Sequence, residues 1–162
     1  LLVSDFARQY DVPAPWLLWQ PVANGKQHLH QFLRMKGVGG MLDASDAAAV
    51  MARLREQMAA GETVEVAGYD LAPALVSGLE QATLQFDSAN SPELQLLEVA
   101  PGAADVCSPA VQGLLKRAQD AGISATAQAI AGPSFWQAQE IEQCTELVDA
   151  TVATLEAWHG RA

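Results

Sequence analysis

The chain has 162 residues, half of them hydrophobic and 17% charged, a composition that describes a globular protein and excludes a disordered segment. Its formal net charge of −10, with only nine scattered Lys and Arg, excludes a nucleic-acid groove, because phosphate binding needs a basic footprint. Two cysteines make no disulfide framework, so a reduced, cytoplasmic setting is expected, and no apolar run reaches the roughly 18 to 20 residues that cross a bilayer.

Leu2, Phe6 and Tyr10 recur at helical spacing and predict a helix over residues 1–10, closed by Asp11-Val12-Pro13-Ala14-Pro15. No cap precedes it, and the expectation is that the natural start of the protein lies before residue 1. Trp16-Leu17-Leu18-Trp19-Gln20 follows as a short apolar run between Pro15 and Pro21, the pattern of a parallel strand buried on both faces. Pro21 has no N–H to donate, so pairing should end near Gln20. The carboxyl end of such a strand opens toward the ligand crevice of an α/β sheet.

Residues 26–36 return to helical spacing through Leu29, Phe32 and Leu33, and Gly37, Gly39 and Gly40 break the pattern. A helix over about 46–60, capped by Asp43 or Ser45, carries Val50, Met51, Leu54 and Met58 and ends at Gly61. Val64 and Val66 mark a short strand over 63–67, and Gly68-Tyr69-Asp70 reads as a turn. Pro73 opens another helix with Leu75, Val76, Leu79 and Ala82 on it.

The stretch 87–92 is the most linker-like in the chain. Residues 94–99 form a second core strand, Ser108-Pro109 starts a helix that Gly122 closes, and residues 123–130 form a third strand ended by Gly132-Pro133. A last helix over about 137–158 is expected to bury Ile141, Val148, Val152 and Leu155. Strands separated by helices imply right-handed crossovers and a parallel sheet, hence the α/β class. Three strands are few for such a sheet, and one whose first strand follows a helix is expected to continue upstream.

Several fragments in this order resemble a known family. Leu17-Leu18-Trp19-Gln20-Pro21-Val22 with Gly25-Lys26, Gln31-Phe32-Leu33-Arg34 and Val66-Ala67-Gly68-Tyr69-Asp70-Leu71 are similar to the hydrolases encoded with exosortase A systems. Gly132, Phe135-Trp136-Gln137 and Gln139-Glu140-Ile141 resemble the second of that system's two hydrolase types, a branch of the α/β-hydrolase superfamily. The resemblance implies the C-terminal part of an α/β-hydrolase fold, with parallel strands, flanking helices and a mainly helical cap insertion. Residues 1–23 and 91–162 would be partial core and 24–90 the cap, with residues 16–20, 94–99 and 123–130 as the sixth, seventh and eighth strands. It also implies ester or thioester hydrolysis, or acyl transfer, on a small acyl or lipidic substrate, linked to exopolysaccharide production and protein sorting.

That chemistry needs a serine activated by a histidine, a carboxylate that orients the histidine, and backbone donors for the oxyanion. No Gly-x-Ser-x-Gly occurs, so the resemblance puts the nucleophile before residue 1 and leaves this chain inactive alone. The acid would be Asp105, in the loop after the second core strand; the plain alternative is a solvated loop aspartate just before the Ser108 cap. The histidine should follow the last strand, but Gly132-Pro133-Ser134-Phe135-Trp136 contains none and His159 lies at the far end of the final helix. A non-catalytic, hydrolase-like binding protein is therefore the second reading, and a complete small α/β interaction domain the third.

Phe135 and Trp136 would line the pocket mouth, or simply anchor the last helix to the sheet. Glu140 or Glu142 would serve the N-terminus of that helix. His28 and His30 are two apart on a helix and point to different faces, so no metal is expected, and no cofactor is implied. Gly37-Val38-Gly39-Gly40 follows a helix and lacks the Lys-Ser/Thr ending of a phosphate loop. Met35, Met41, Met51 and Met58 would fill a core or, in a cap, meet an apolar substrate. Without an upstream neighbour the strand at 16–20 would present an open edge, which invites pairing into a homodimer.

Overall fold

The computed structural model describes residues 1–37, 44–66, 68–102, 106–136, 140 and 142–160, with backbone alone for 34–37 and 44–51. In chain order the elements are α1 (Leu2–Tyr10), β1 (Trp16–Trp19), α2 (Gly25–Gly37), α3 (Ala44–Ala59), β2 (Val64–Val66), β3 (Tyr69–Leu71), α4 (Pro73–Gln81), β4 (Glu93–Ala100), α5 (Pro109–Asp120), β5 (Ser124–Ala131) and α6 (Thr145–His159). They fall into two compact units. One is Asn24–Leu84; the other joins Leu2–Ala23 to Gln85–Ala162.

The second unit is α/β. Its sheet has the order β1-β4-β5, and both pairings are parallel. β4 is the middle strand, and its apolar run shows why: Leu94, Leu96, Leu97 and Val99 are all buried, as a strand covered on both faces requires. β5 alternates small apolar and polar residues, the signature of a strand with one wetter face. α5 packs on β4 and β5 through Val111, Leu114 and Ala118. Ser108 caps it, its Oγ accepting from the Val111 N–H at 3.4 Å, and Pro109 takes the first turn, where an N–H is not needed.

Four expectations need correction here. β1 lies at the edge of the described sheet, as expected of this strand without an upstream neighbour, but it is not enclosed on both faces: Trp16 is buried, while Trp19 is 46% exposed. A short apolar run fixes a strand but not how far each face is covered. The last helix begins at Thr145, eight residues later than its apolar spacing implies, and Glu140 and Glu142 precede it. Its buried anchor is Leu147, which turns Val148, Val152 and Leu155 outward; Ile141 lies outside the described residues. In α1 the buried residues are likewise Ser4 and Ala7, while Leu2, Phe6 and Tyr10 stand exposed. Finally, 87–92 is no linker. Asp87 Oδ1 accepts from the Ala89 N–H, the Asp87 carbonyl accepts from the Asn90 and Ser91 N–H groups, and Asn90 and Ser91 are buried. Short polar side chains that bond neighbouring backbone build a turn as readily as they solvate a linker.

The unit Asn24–Leu84 has its own core of Leu29, Leu33, Met58, Val64, Val66, Leu71 and Val76, with Phe32, Leu54 and Leu79 packed against it. β2 and β3 form an antiparallel hairpin in which Val64 faces Leu71. β3 thus occupies residues expected to be a turn; the turn is tighter, with Gly68 at φ 79° supplying the left-handed step. Asn24 caps α2 through Oδ1, which accepts from the Gln27 N–H at 3.0 Å. Asn24 and Thr83 form an isolated antiparallel bridge, so the two ends of this unit meet. The caps expected for α3 begin at Asp43, outside the described residues, as are Val38, Gly39 and Gly40. Among the described residues no helix is long and apolar enough to cross a membrane.

Candidate functional site

All three parallel strands stop in the same way. Pro21 follows Gln20 after β1, Pro101 follows Ala100 after β4, and Pro133 follows Gly132 after β5. Each proline removes the N–H that would extend the ladder, so β1 ends opposite Leu97 and β4 and β5 run three residues further, to Ala100 and Ala131. In an open α/β sheet the carboxyl rim is where ligands bind.

On β1, the Gln20 N–H donates to the Leu97 carbonyl at 2.8 Å, one step beyond the strand. Its φ is 42°, and its Oε1 accepts from the Val99 N–H at 3.0 Å. Next to it the Trp19 indole N–H donates to Thr151 Oγ1 at 2.9 Å, tying the edge strand to α6.

On β5, the Gly132 N–H donates to the Ala100 carbonyl at 3.2 Å. A Cβ at position 132 would stand 2.3 Å from Cys144 Sγ, so only glycine lets the N-terminal end of α6 approach. Phe135 packs edge-on against Trp19 at 6.5 Å and against Trp136 at 5.1 Å. It also lies on the cluster of Leu97, Val99, Ile130, Cys144 and Leu147 beneath α6, half-buried. Phe135 is thus an anchor between sheet and helix, and Trp136, 41% exposed, sits beyond it at the surface. Asp105 lies outside the described residues.

β4 itself holds a polar residue at this end of the sheet. Glu98 is a buried carboxylate in the apolar second half of β4, and its Oε2 accepts from the Ser108 N–H at 2.6 Å. A charge interrupting Leu96-Leu97-Val99 was the available signal, since a buried carboxylate must find donors. Beside it, the Gln112 Nε2 donates to the Cys107 carbonyl at 2.8 Å.

Burial, and after it the negative charge of Glu98, pushes the Cys107 thiol above its ordinary value. The neutral thiol is therefore the favoured form in the fold. This contribution to stability is present below the ordinary thiol pKa and is lost as pH rises through the raised one. Glu98→Gln keeps an acceptor for Ser108 and removes the charge. It should speed alkylation of Cys107 by iodoacetamide at pH 8.5, because removing the charge raises the fraction of thiolate. An unchanged rate would mean that the thiol does not feel the carboxylate.

Elsewhere in the same unit a groove of about 710 Å³ opens beside α6, lined by Glu93, Gln95, Thr126, Gln128 and Trp158. It lies toward the amino ends of β4 and β5, away from the rim described above. Among the described residues no three His, Cys, Asp or Glu gather to hold a metal; His28 and His30 are exposed on α2. In comparisons with known proteins, no family model, no curated protein and no solved structure matches this chain.

Proposed function

We propose that this chain is the C-terminal portion of a cytoplasmic serine hydrolase of the α/β-hydrolase superfamily, related to the second exosortase-associated type. It would hydrolyse an ester or thioester, or transfer an acyl group, on a small acyl or lipidic substrate, with its nucleophile outside these residues. The observation that carries this reading is the parallel order β1-β4-β5, with Asn24–Leu84 inserted between β1 and β4. The resemblance assigns these strands as the sixth, seventh and eighth and the insertion as the cap. The open edge of β1 supports it further, because an apolar edge strand is a place where a sheet gains a neighbour, whether more of the same fold or a second copy.

One observation favours the second reading, a hydrolase-like protein that binds without turnover. No histidine stands in residues 132–136 after β5, where the superfamily's base belongs. Labelling of the longer protein by a fluorophosphonate probe, together with hydrolysis of short p-nitrophenyl esters, separates the two. Labelling is expected for the enzyme; absence of both signals would leave the binding protein.

A further inference from the structure

α6 descends the sheet. Leu147 at its start packs with Val99 and Ile130 near the carboxyl ends of the strands, and Thr151 bonds Trp19 opposite Leu97. Ala157 and Trp158 then reach the level of Glu93 and Gln95 at the amino ends. Along this path the sheet face beneath the helix changes character. On β4 the row reads Val99, Leu97, Gln95 and on β5 Ile130, Gln128, Thr126, so the apolar half that anchors α6 gives way to carboxamides and a hydroxyl. A sheet face covered by a helix is ordinarily apolar. Here helix and sheet part over the polar half and leave the groove of about 710 Å³ between them, a volume in the range of small-molecule sites.

The groove has anionic ends and a neutral middle. Glu146 and Asp149 stand at its upper end, and Glu93 with the half-buried Trp158 at its lower end, roughly 14–18 Å away by helical rise. Between them run small alanines on the helix side and Gln95, Thr126 and Gln128 on the sheet side. The Thr126 hydroxyl donates to Gln95 Oε1, which leaves its own lone pairs for an incoming donor. No Lys, Arg or His lines the groove, and among the described residues neither Glu146 nor Asp149 pairs with a cation. Nor do its carboxylates gather round one point as a metal site requires.

We infer that this groove binds a linear aliphatic polyamine. One terminal ammonium pairs with Glu146 and Asp149, and the other with Glu93 and the ring of Trp158. The methylene chain lies along the alanines, and an internal ammonium donates to Thr126 Oγ1 and the Gln128 carboxamide oxygen. A compact cation would satisfy one end only, and a fatty chain would leave the carboxylates unpaired. The inference is independent of the hydrolase reading, because the groove lies away from the carboxyl rim.

The test is isothermal titration calorimetry of the 162-residue chain with spermine, read beside the ¹⁵N signal of the Trp158 indole. Spermine is expected to bind with saturation and to shift that signal. Putrescine, whose ammonium groups stand too close together to reach both ends, should bind at least about tenfold more weakly. Glu146→Gln combined with Asp149→Asn should cost spermine about tenfold as well; both carboxylates are exposed, so the fold is not at stake. Glu65→Gln combined with Glu80→Gln, exposed in the other unit, removes the same charge and should change affinity by less than about twofold. Absence of saturable binding, or putrescine binding as tightly as spermine, overturns the inference. So do equal losses from the two double variants, which would show general attraction to an acidic chain. Tighter binding of acetylated tetralysine amide, with the same charge on a peptide backbone, would overturn it in favour of a basic peptide.

Discussion

Gly25→Ala is expected to destabilise the unit Asn24–Leu84 by about 3 kcal/mol, although alanine is the better helix former by roughly 1 kcal/mol. Gly25 is the first residue of α2, and its φ does not demand glycine. Its neighbour does. A Cβ there would stand 2.1 Å from the Leu79 carbonyl oxygen, a backbone atom of α4. α4 cannot swing aside cheaply, because Val76 is buried in the core and the Ala82 carbonyl accepts from the Gly25 N–H at 2.9 Å. Gly78→Ala is the matched control: it is also helical, and nothing lies within 4 Å of its Cβ position. That variant should gain up to about 1 kcal/mol. Urea unfolding followed by circular dichroism measures both. Two changes of the same sign would show that the close approach of α2 and α4 is not there.

Leu97→Ala should cost about 3–4 kcal/mol in the α/β unit. Leu97 is fully buried in the middle strand and lies in the cluster with Val99, Ile130, Cys144 and Leu147. Its neighbours in the ladder are Trp19 on one side and Gln128 on the other, so no adjacent strand residue can shift sideways to fill the space. The loss also removes the floor under Phe135, which bridges sheet and helix. Leu155→Ala on α6, where the side chain is half-exposed, should change stability by less than about 1 kcal/mol. Equal losses from the two would mean that α6 buries a different face.

The sequence made the parallel sheet legible because its signals were local. Ser108-Pro109 and Gly122 bracket α5, and prolines mark the ends of β1, β4 and β5. What it could not show was the partner each surface meets. Leu2, Phe6 and Tyr10 form a clean helical stripe, yet Ser4 and Ala7 are the buried residues. In α6 a one-residue difference in phase separates Leu147 from Val148, a rotation of about 100° that decides which is core. β3 was hidden because Tyr69-Asp70-Leu71 directly follows the glycine turn and leaves only three residues for a strand.

At the candidate site, Phe135 and Trp136 were visible as aromatics, but the packing of Phe135 between Trp19 and Trp136 was not. The side-chain bonds of Glu98 and Gln20 escaped notice for a shared reason. Each is a polar residue whose role is set by a backbone N–H far along the chain or beyond a loop, at Ser108 and Val99. Periodicity has no term for such pairs.

The bridge between Asn24 and Thr83 bears on the order in which the protein assembles. β1 cannot register on β4 until the chain from residue 20 to residue 92 has closed into a loop. If the inserted unit folds first, its joined ends act as a short connector, and the segment left to close is about five times shorter. Chain-closure entropy then falls by about 1.4 kcal/mol, close to a tenfold gain in the probability that the two strands meet. The same junction makes the insertion removable: a few residues spanning Ala23 to Gln85 would leave the parallel sheet with a connection of nearly the same reach.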